Sequence, residues 1–115
     1  MVSDCIFCKI IQGAIKSTII AQNEHVIAIQ DIMPKAPFHY LIMPKKHIIS
    51  LATITEADQE YITQIMLMAR DLAQNVPNKA FNLIANNGRQ AGQSVFHLHF
   101  HFLAGKDLYK NGLTL

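Results

Sequence analysis

Residues 95–103 set three of the chain's six histidines, His97, His99 and His101, at every second position, alternating with Phe96, Leu98, Phe100 and Phe102. Successive side chains of an extended strand point to opposite faces, so this spacing predicts a strand with imidazoles on one side and bulky apolar residues pressed on a core on the other. Neighbouring imidazoles of such a row stand about 6.5 Å apart and the outer pair about 13 Å. Metal–ligand bonds are only about 2 Å long, so His97 and His101 cannot share one ion, and the three are expected to hold different jobs. One job open to a neutral imidazole is nucleophilic attack on phosphorus, with one ring nitrogen kept as a lone pair and the other donating its proton to a fixed acceptor.

Two further groups could carry chemistry. Cys5 and Cys8 place two thiols on one side of an early turn, which is half of a tetrahedral zinc site. Without further ligands the same pair would serve redox chemistry. Residues 86–94, rich in turn formers, precede the histidines and deliver Asn86, the backbone at Gly92 and Gln93, and the Ser94 hydroxyl to the edge of the row. Glycine lets a ligand approach the main chain, and free N–H groups in such a turn can hold a phosphate.

The positioning elements follow from periodicity. Ser3 or Asp4 can cap a short helix that runs through Ile11 and ends at Gly13. Residues 18–21 and 25–29 are strand-like around a turn at 22–24, and a third strand over 39–43 stops at Pro44. Between them Asp31 opens a loop that Pro34 and Pro37 keep out of helix and strand. Thr55, with Glu56 and Asp58, starts a long helix whose apolar residues recur at helical spacing through Ala73, and residues 75–79, with Pro77, end it. The helix is more apolar than one covered face needs: Met66, Leu67 and Met68 either meet a second subunit or fill a wide core seam. A fourth strand over 80–85 precedes the histidine strand. The order predicts an α+β domain, a five-stranded antiparallel sheet with one long and one short helix packed on one side, over residues 1–115.

Composition narrows the function classes. Half the residues are apolar and 16% are charged, as in a soluble globular protein. A formal charge of +2 gives no basic field for nucleic acid, and no apolar run reaches the roughly 18 residues of a membrane helix. The N-terminus, with an acid and two cysteines, lacks the pattern of a signal peptide, so a cytoplasmic location is expected. In that reducing compartment the two cysteines argue for metal or redox chemistry rather than a structural disulfide.

The run from Gly92, Gln93 and Ser94 through His97, His99 and His101 to Leu103 resembles the signature of the histidine-triad (HIT) nucleotide-binding family, and the likeness extends to residues 5–11, to Asp31, Pro34, Ala36, Pro37 and His39, and to residues 44–47. The resemblance implies a dimer in which two sheets join into one, and a hydrolase of the purine nucleoside phosphoramidase branch. His99 would form a transient nucleotidyl-histidine, oriented by the backbone carbonyl of His97. Ser94 would assist the leaving group, His101 and the Gln93 backbone would hold phosphate oxygens with Asn86 and Gly92 close by, and His39 would support the triad from the neighbouring strand. Asp31 would accept the ribose hydroxyls, if it is not simply a loop cap. Ile6, Phe7, Ile10, Ile29 and Ile32 would sandwich a purine, if they are not plain core. Cys5 and Cys8 would be completed by His47 and His97 into a structural zinc site. A dinucleoside polyphosphate hydrolase and a nucleotide-binding adaptor with weak catalysis are the alternatives. The C-terminal tail lacks the tryptophan of the best-known animal members, so their leaving-group preferences do not carry over.

Overall fold

The computed structural model describes residues 4–113. Helix α1 (Ile6–Ile11) is followed by β1 (Ile19–Gln22), β2 (Val26–Gln30), β3 (Phe38–Pro44), the long helix α2 (Gln59–Ala73), β4 (Phe81–Ile84) and β5 (Phe100–Ala104). The strands form one antiparallel sheet in the order β1-β2-β3-β5-β4, the expected α+β class.

The period-2 pattern of the central strands decides what each face covers. Val26, Ala28 and Ile42 pack with Phe100, Phe102 and Ala104 against Ile65, Met68, Ala69 and Leu72 of α2. Their strand neighbours Ile27, Ile29, Leu41 and Met43 turn to the other face and close on Phe7 of α1. The helices therefore lie on opposite faces, not on one side as the element order suggests. The reason is visible in β2, where four consecutive residues are buried, so both faces need a cover.

Local chemistry fixes the ends of the elements. Neither Ser3 nor Asp4 is the observed cap of α1: Ser3 lies outside the described residues, Asp4 is exposed in the preceding turn, and Cys5 Sγ takes the capping position, accepting from Cys8 N–H at 3.4 Å. Gly13, at φ +81°, follows the helix as expected, and the Ala14 N–H closes on Lys9 O at 2.8 Å. The start of α2 is a single 3-10 turn, Glu56–Asp58, with Thr55 N–H donating to Asp58 Oδ2 at 3.0 Å. The Asp58 side chain, buried, also accepts from Lys46 Nζ, which holds its carboxyl below the usual range and ties α2 to the end of β3. Met68 is core, whereas Met66 and Leu67 remain 41% and 36% exposed, so the apolar excess of α2 faces outward. No helix among the described residues is long and apolar enough to cross a membrane.

The histidine segment departs from a single strand. Regular pairing begins only at Phe100; residues 95–97 bend, and His97 and His99 precede β5. The segment is instead clamped to the chain after β3, with Leu98 N–H donating to Ile48 O at 2.6 Å and the His97 ring bonded to Pro44 O. From Leu98 onward the predicted alternation holds, since Leu98, Phe100 and Phe102 enter the α2-side core, while Phe96 lies outside it at 39% exposure.

Candidate functional site

Five histidines gather in neighbouring pairs with ring-centroid separations of 5.0 to 5.2 Å: His47 beside His97, His101 beside His99, and His39 beside His101. Phe7 of α1 stands edge-on to both His97 (5.9 Å) and His99 (5.1 Å), so α1 roofs the start of the row. His97, His99 and His39 each have a backbone partner, and these partners decide where their protons sit.

A carbonyl oxygen only accepts, so the ring nitrogen facing it must carry the hydrogen. His99 Nδ1 is 2.8 Å from His97 O and therefore donates to it, which leaves Nε2 as a lone pair. His97 Nε2 likewise donates to Pro44 O at 2.8 Å and turns the Nδ1 lone pair toward the thiols. His39 is set the opposite way. The Lys35 N–H donates to His39 Nδ1 at 3.0 Å, so the hydrogen is on Nε2, which lies 2.9 Å from His101 Nδ1 and 3.3 Å from Asp31 Oδ2. His101 then accepts at Nδ1 and presents Nε2–H outward. Burial keeps these rings neutral: it lowers the pKa of His99 and His39, and pushes His97 and His101 down to about 4. The row thus ends in one imidazole lone pair, at His99, beside one N–H donor, at His101.

Two clusters flank that pair. Cys5, Cys8, His47 and His97 bring their donor atoms within 4.8 Å of one another and could hold a metal ion. The edges of a tetrahedron of thiolate and imidazole ligands are about 3.6 Å long, given metal bonds of about 2.3 and 2.0 Å. Here Cys5 Sγ is 3.4 Å and Cys8 Sγ 3.6 Å from His97 Nδ1, and Cys8 Sγ is 3.3 Å from His47 Nδ1, so the donors fit such an ion. Asp31, His39 and His101 form the second cluster. Its inward positions are filled by the His39 hydrogen, which makes it a hydrogen-bonded relay.

The loop before the row is braced from within. Gln93, 3% exposed, accepts from Gly88 N–H at 2.8 Å through Oε1 and donates through Nε2 to Ile49 O (2.7 Å) and Val95 O (3.0 Å). Asn86 Nδ2 donates to Ala91 O at 2.8 Å. The Gly92 and Gln93 N–H groups bond to Arg89 O and Gly88 O, both at 3.1 Å. The Gln93 N–H, expected to hold phosphate, is used in this structure on the turn's own closure. Ser94 stays exposed, and its hydroxyl makes no hydrogen bond among the described residues.

Of the apolar residues expected around a base, Phe7 and Ile29 are buried in the α1-side core and Ile10 packs partly against it. Ile6 is 46% and Ile32 91% exposed, the latter on the loop that Asp31 opens. Asp31 Oδ1 caps that loop at Met33 N–H (2.8 Å) and Oδ2 faces His39, so the carboxylate does local work whatever else it binds. The residues that sequence alone did not single out act through the backbone: Pro44 O, Ile48 O and Lys35 N–H. No side-chain signal points to a main-chain group, although the two prolines flanking Lys35 mark its loop as conformationally fixed.

Comparisons agree with this geometry. Residues 4–112 match the family model described as the scavenger mRNA decapping enzyme C-terminal binding region. An uncharacterized HIT-like protein of Synechocystis is 37% identical over 107 residues, covering 92% of this chain and 94% of that one. The structure of a HIT family hydrolase from Clostridium thermocellum is 42% identical and superposes with a TM-score of 0.92 over 100% of this chain and 99% of the other. A histidine triad protein from Clostridium difficile is 39% identical, TM-score 0.87, over 93% and 95%. Sequence, fold and the ordered imidazoles agree that the chain belongs to the HIT family.

Proposed function

We propose that this protein hydrolyses nucleotidyl phosphorus bonds, such as those of nucleoside phosphoramidates, through a covalent nucleotidyl-histidine on His99. The observation that carries the reading is the His99 Nδ1–H bond to His97 O at 2.8 Å, because it aims the Nε2 lone pair and fixes its tautomer. His99 Nε2 forms a bond to the α-phosphorus as the bond to the leaving group breaks. Ser94 donates a hydrogen bond to the departing atom, an amine nitrogen taking up a proton from solvent so that it leaves neutral, and His101 Nε2–H holds a non-bridging oxygen as charge develops. Water then cleaves the phosphorus–nitrogen bond, releasing the nucleoside monophosphate and returning neutral His99.

Asp31 receives the ribose, and Ile6, Phe7, Ile10, Ile29 and Ile32 make the apolar slot for a purine. Cys5, Cys8, His47 and His97 would hold zinc, the ion that mixed thiolate and imidazole donors suit, and the ion would fasten α1, and with it Phe7, over the row. A homodimer is supported by the open edge of β4, where Phe81 is 37% exposed, and by the outward apolar residues of α2. His99→Ala is expected to lower release of AMP from adenosine phosphoramidate about 10⁶-fold, the scale seen when a covalent nucleophile is removed. Turnover retained by that variant would contradict the assignment.

A further inference from the structure

Arg89 sits in the turn before the row with its guanidinium carbon 5.6 Å from the centroid of the Phe96 ring. Phe96 is 39% exposed, and no carboxylate pairs with Arg89 among the described residues. Both side chains line a cavity of about 380 Å³ together with Gly92, Gln93 and Ser94.

The polar groups of that cavity divide sharply. The Gln93 side chain is used on Gly88, Ile49 and Val95, and the Gly92 N–H is used on Arg89 O. What remains for a ligand is the Ser94 hydroxyl and the Arg89 guanidinium, a neutral donor beside a charged one. Asp4 lines an adjoining cavity that shares Ser94 and Phe96, and the cavity holding Arg89 is lined by no acid. A guanidinium laid on an aromatic face keeps its edge N–H groups free for in-plane acceptors, the geometry that suits phosphate or sulfate oxygens.

We infer that Arg89, seated on Phe96, is a specificity-determining residue that selects leaving groups departing as oxyanions. This rests on the reading that Ser94 faces the leaving group. As the His99–phosphorus bond forms, the bond from phosphorus to the leaving oxygen breaks and its electron pair stays on that oxygen as negative charge. Ser94 and Arg89 donate hydrogen bonds to the departing group. An amine leaving group carries no such charge and gains nothing from Arg89.

The test compares wild-type protein, Arg89→Ala and Arg89→Lys on three substrates: adenosine 5′-phosphosulfate, diadenosine tetraphosphate and adenosine 5′-phosphoramidate. The ratio of kcat/KM for either anionic substrate to that for the phosphoramidate should fall about 10- to 100-fold in Arg89→Ala, the scale of one charge-assisted hydrogen bond. Arg89→Lys should recover most of it. A fall with both anionic substrates identifies the departing oxyanion itself as the ligand, and a fall with the tetraphosphate alone identifies a longer phosphate chain. An unchanged ratio overturns the inference. Pyrophosphate titrated into the intact protein reads the subsite independently of hydrolysis, by NMR shifts at Ser94 and Phe96. Shifts that vanish in Arg89→Ala support the subsite even if no substrate is cleaved, an outcome that would sink only the hydrolytic reading. Shifts that persist in Arg89→Ala, or none in the wild type, overturn it.

Discussion

The two clusters beside His99 are built from the same materials and do opposite things. Each has two imidazoles and further potential ligands, and each keeps its donor atoms within 4.8 Å. The difference lies in which backbone group meets the outer ring nitrogen. At His97 a carbonyl, Pro44 O, draws the hydrogen away from the cluster, so a lone pair faces the thiols. At His39 an N–H, that of Lys35, occupies the outer nitrogen, so the hydrogen faces His101 and Asp31. One backbone acceptor exchanged for one donor separates a cluster that could hold a metal ion from a hydrogen-bonded relay. Residue type and proximity alone would have made them alike.

That contrast breaks most visibly at the thiols. Cys8→Ser should reduce bound zinc from one ion per chain to none, read by elemental analysis of the purified protein. It should also abolish the rise in melting temperature on adding zinc, since an ion at about 100 times its dissociation constant contributes about 2.7 kcal/mol to the folded state. His39→Ala should leave the zinc content intact and lower turnover about 10- to 100-fold, the range found when a hydrogen-bond partner that orients a functional group is removed. If His39→Ala sheds zinc, or Cys8→Ser retains it, the two clusters are not the separate devices described here.

Sequence showed much of this. The period-2 run after Leu98, the Cys5 and Cys8 pair and the strand limits were legible because side-chain type reports burial and ligand chemistry directly. The resemblance assembled Cys5, Cys8, His47 and His97, and the fold brings them together. Three things were not legible. The histidine run looked like one strand, but Phe96 is left out of the core by a bend clamped through Ile48 O. The helices were expected on one face because element order carries no side. The Gln93 N–H looked free, because turn closure onto Gly88 O depends on backbone angles that residue type only biases. Gly92, at φ +91°, is where that closure needs glycine.

A smaller effect sharpens the relay side. Burial holds the His101 pKa at about 4, against about 6.5 in the unfolded chain. Between those values the unfolded chain binds the extra proton, so stability is greatest above about pH 6.5 and declines as pH falls toward 4. Urea midpoints of zinc-free protein should therefore decrease through this window. Cys8→Ser, with its relay intact, should show the same decline, whereas His101→Gln should make it shallower, the buried His97 keeping its own share. An unchanged slope in His101→Gln would remove His101 from the account.

The central claim is that both clusters serve one lone pair, His99 Nε2. Mass spectrometry of protein quenched in acid-free buffer during turnover of an adenosine phosphoramidate tests it most directly. A mass increase of one adenylyl group, mapped to His99 and absent from His99→Ala, is the predicted result. Rapid turnover with no adduct, or an adduct on His101 or His39, would contradict it.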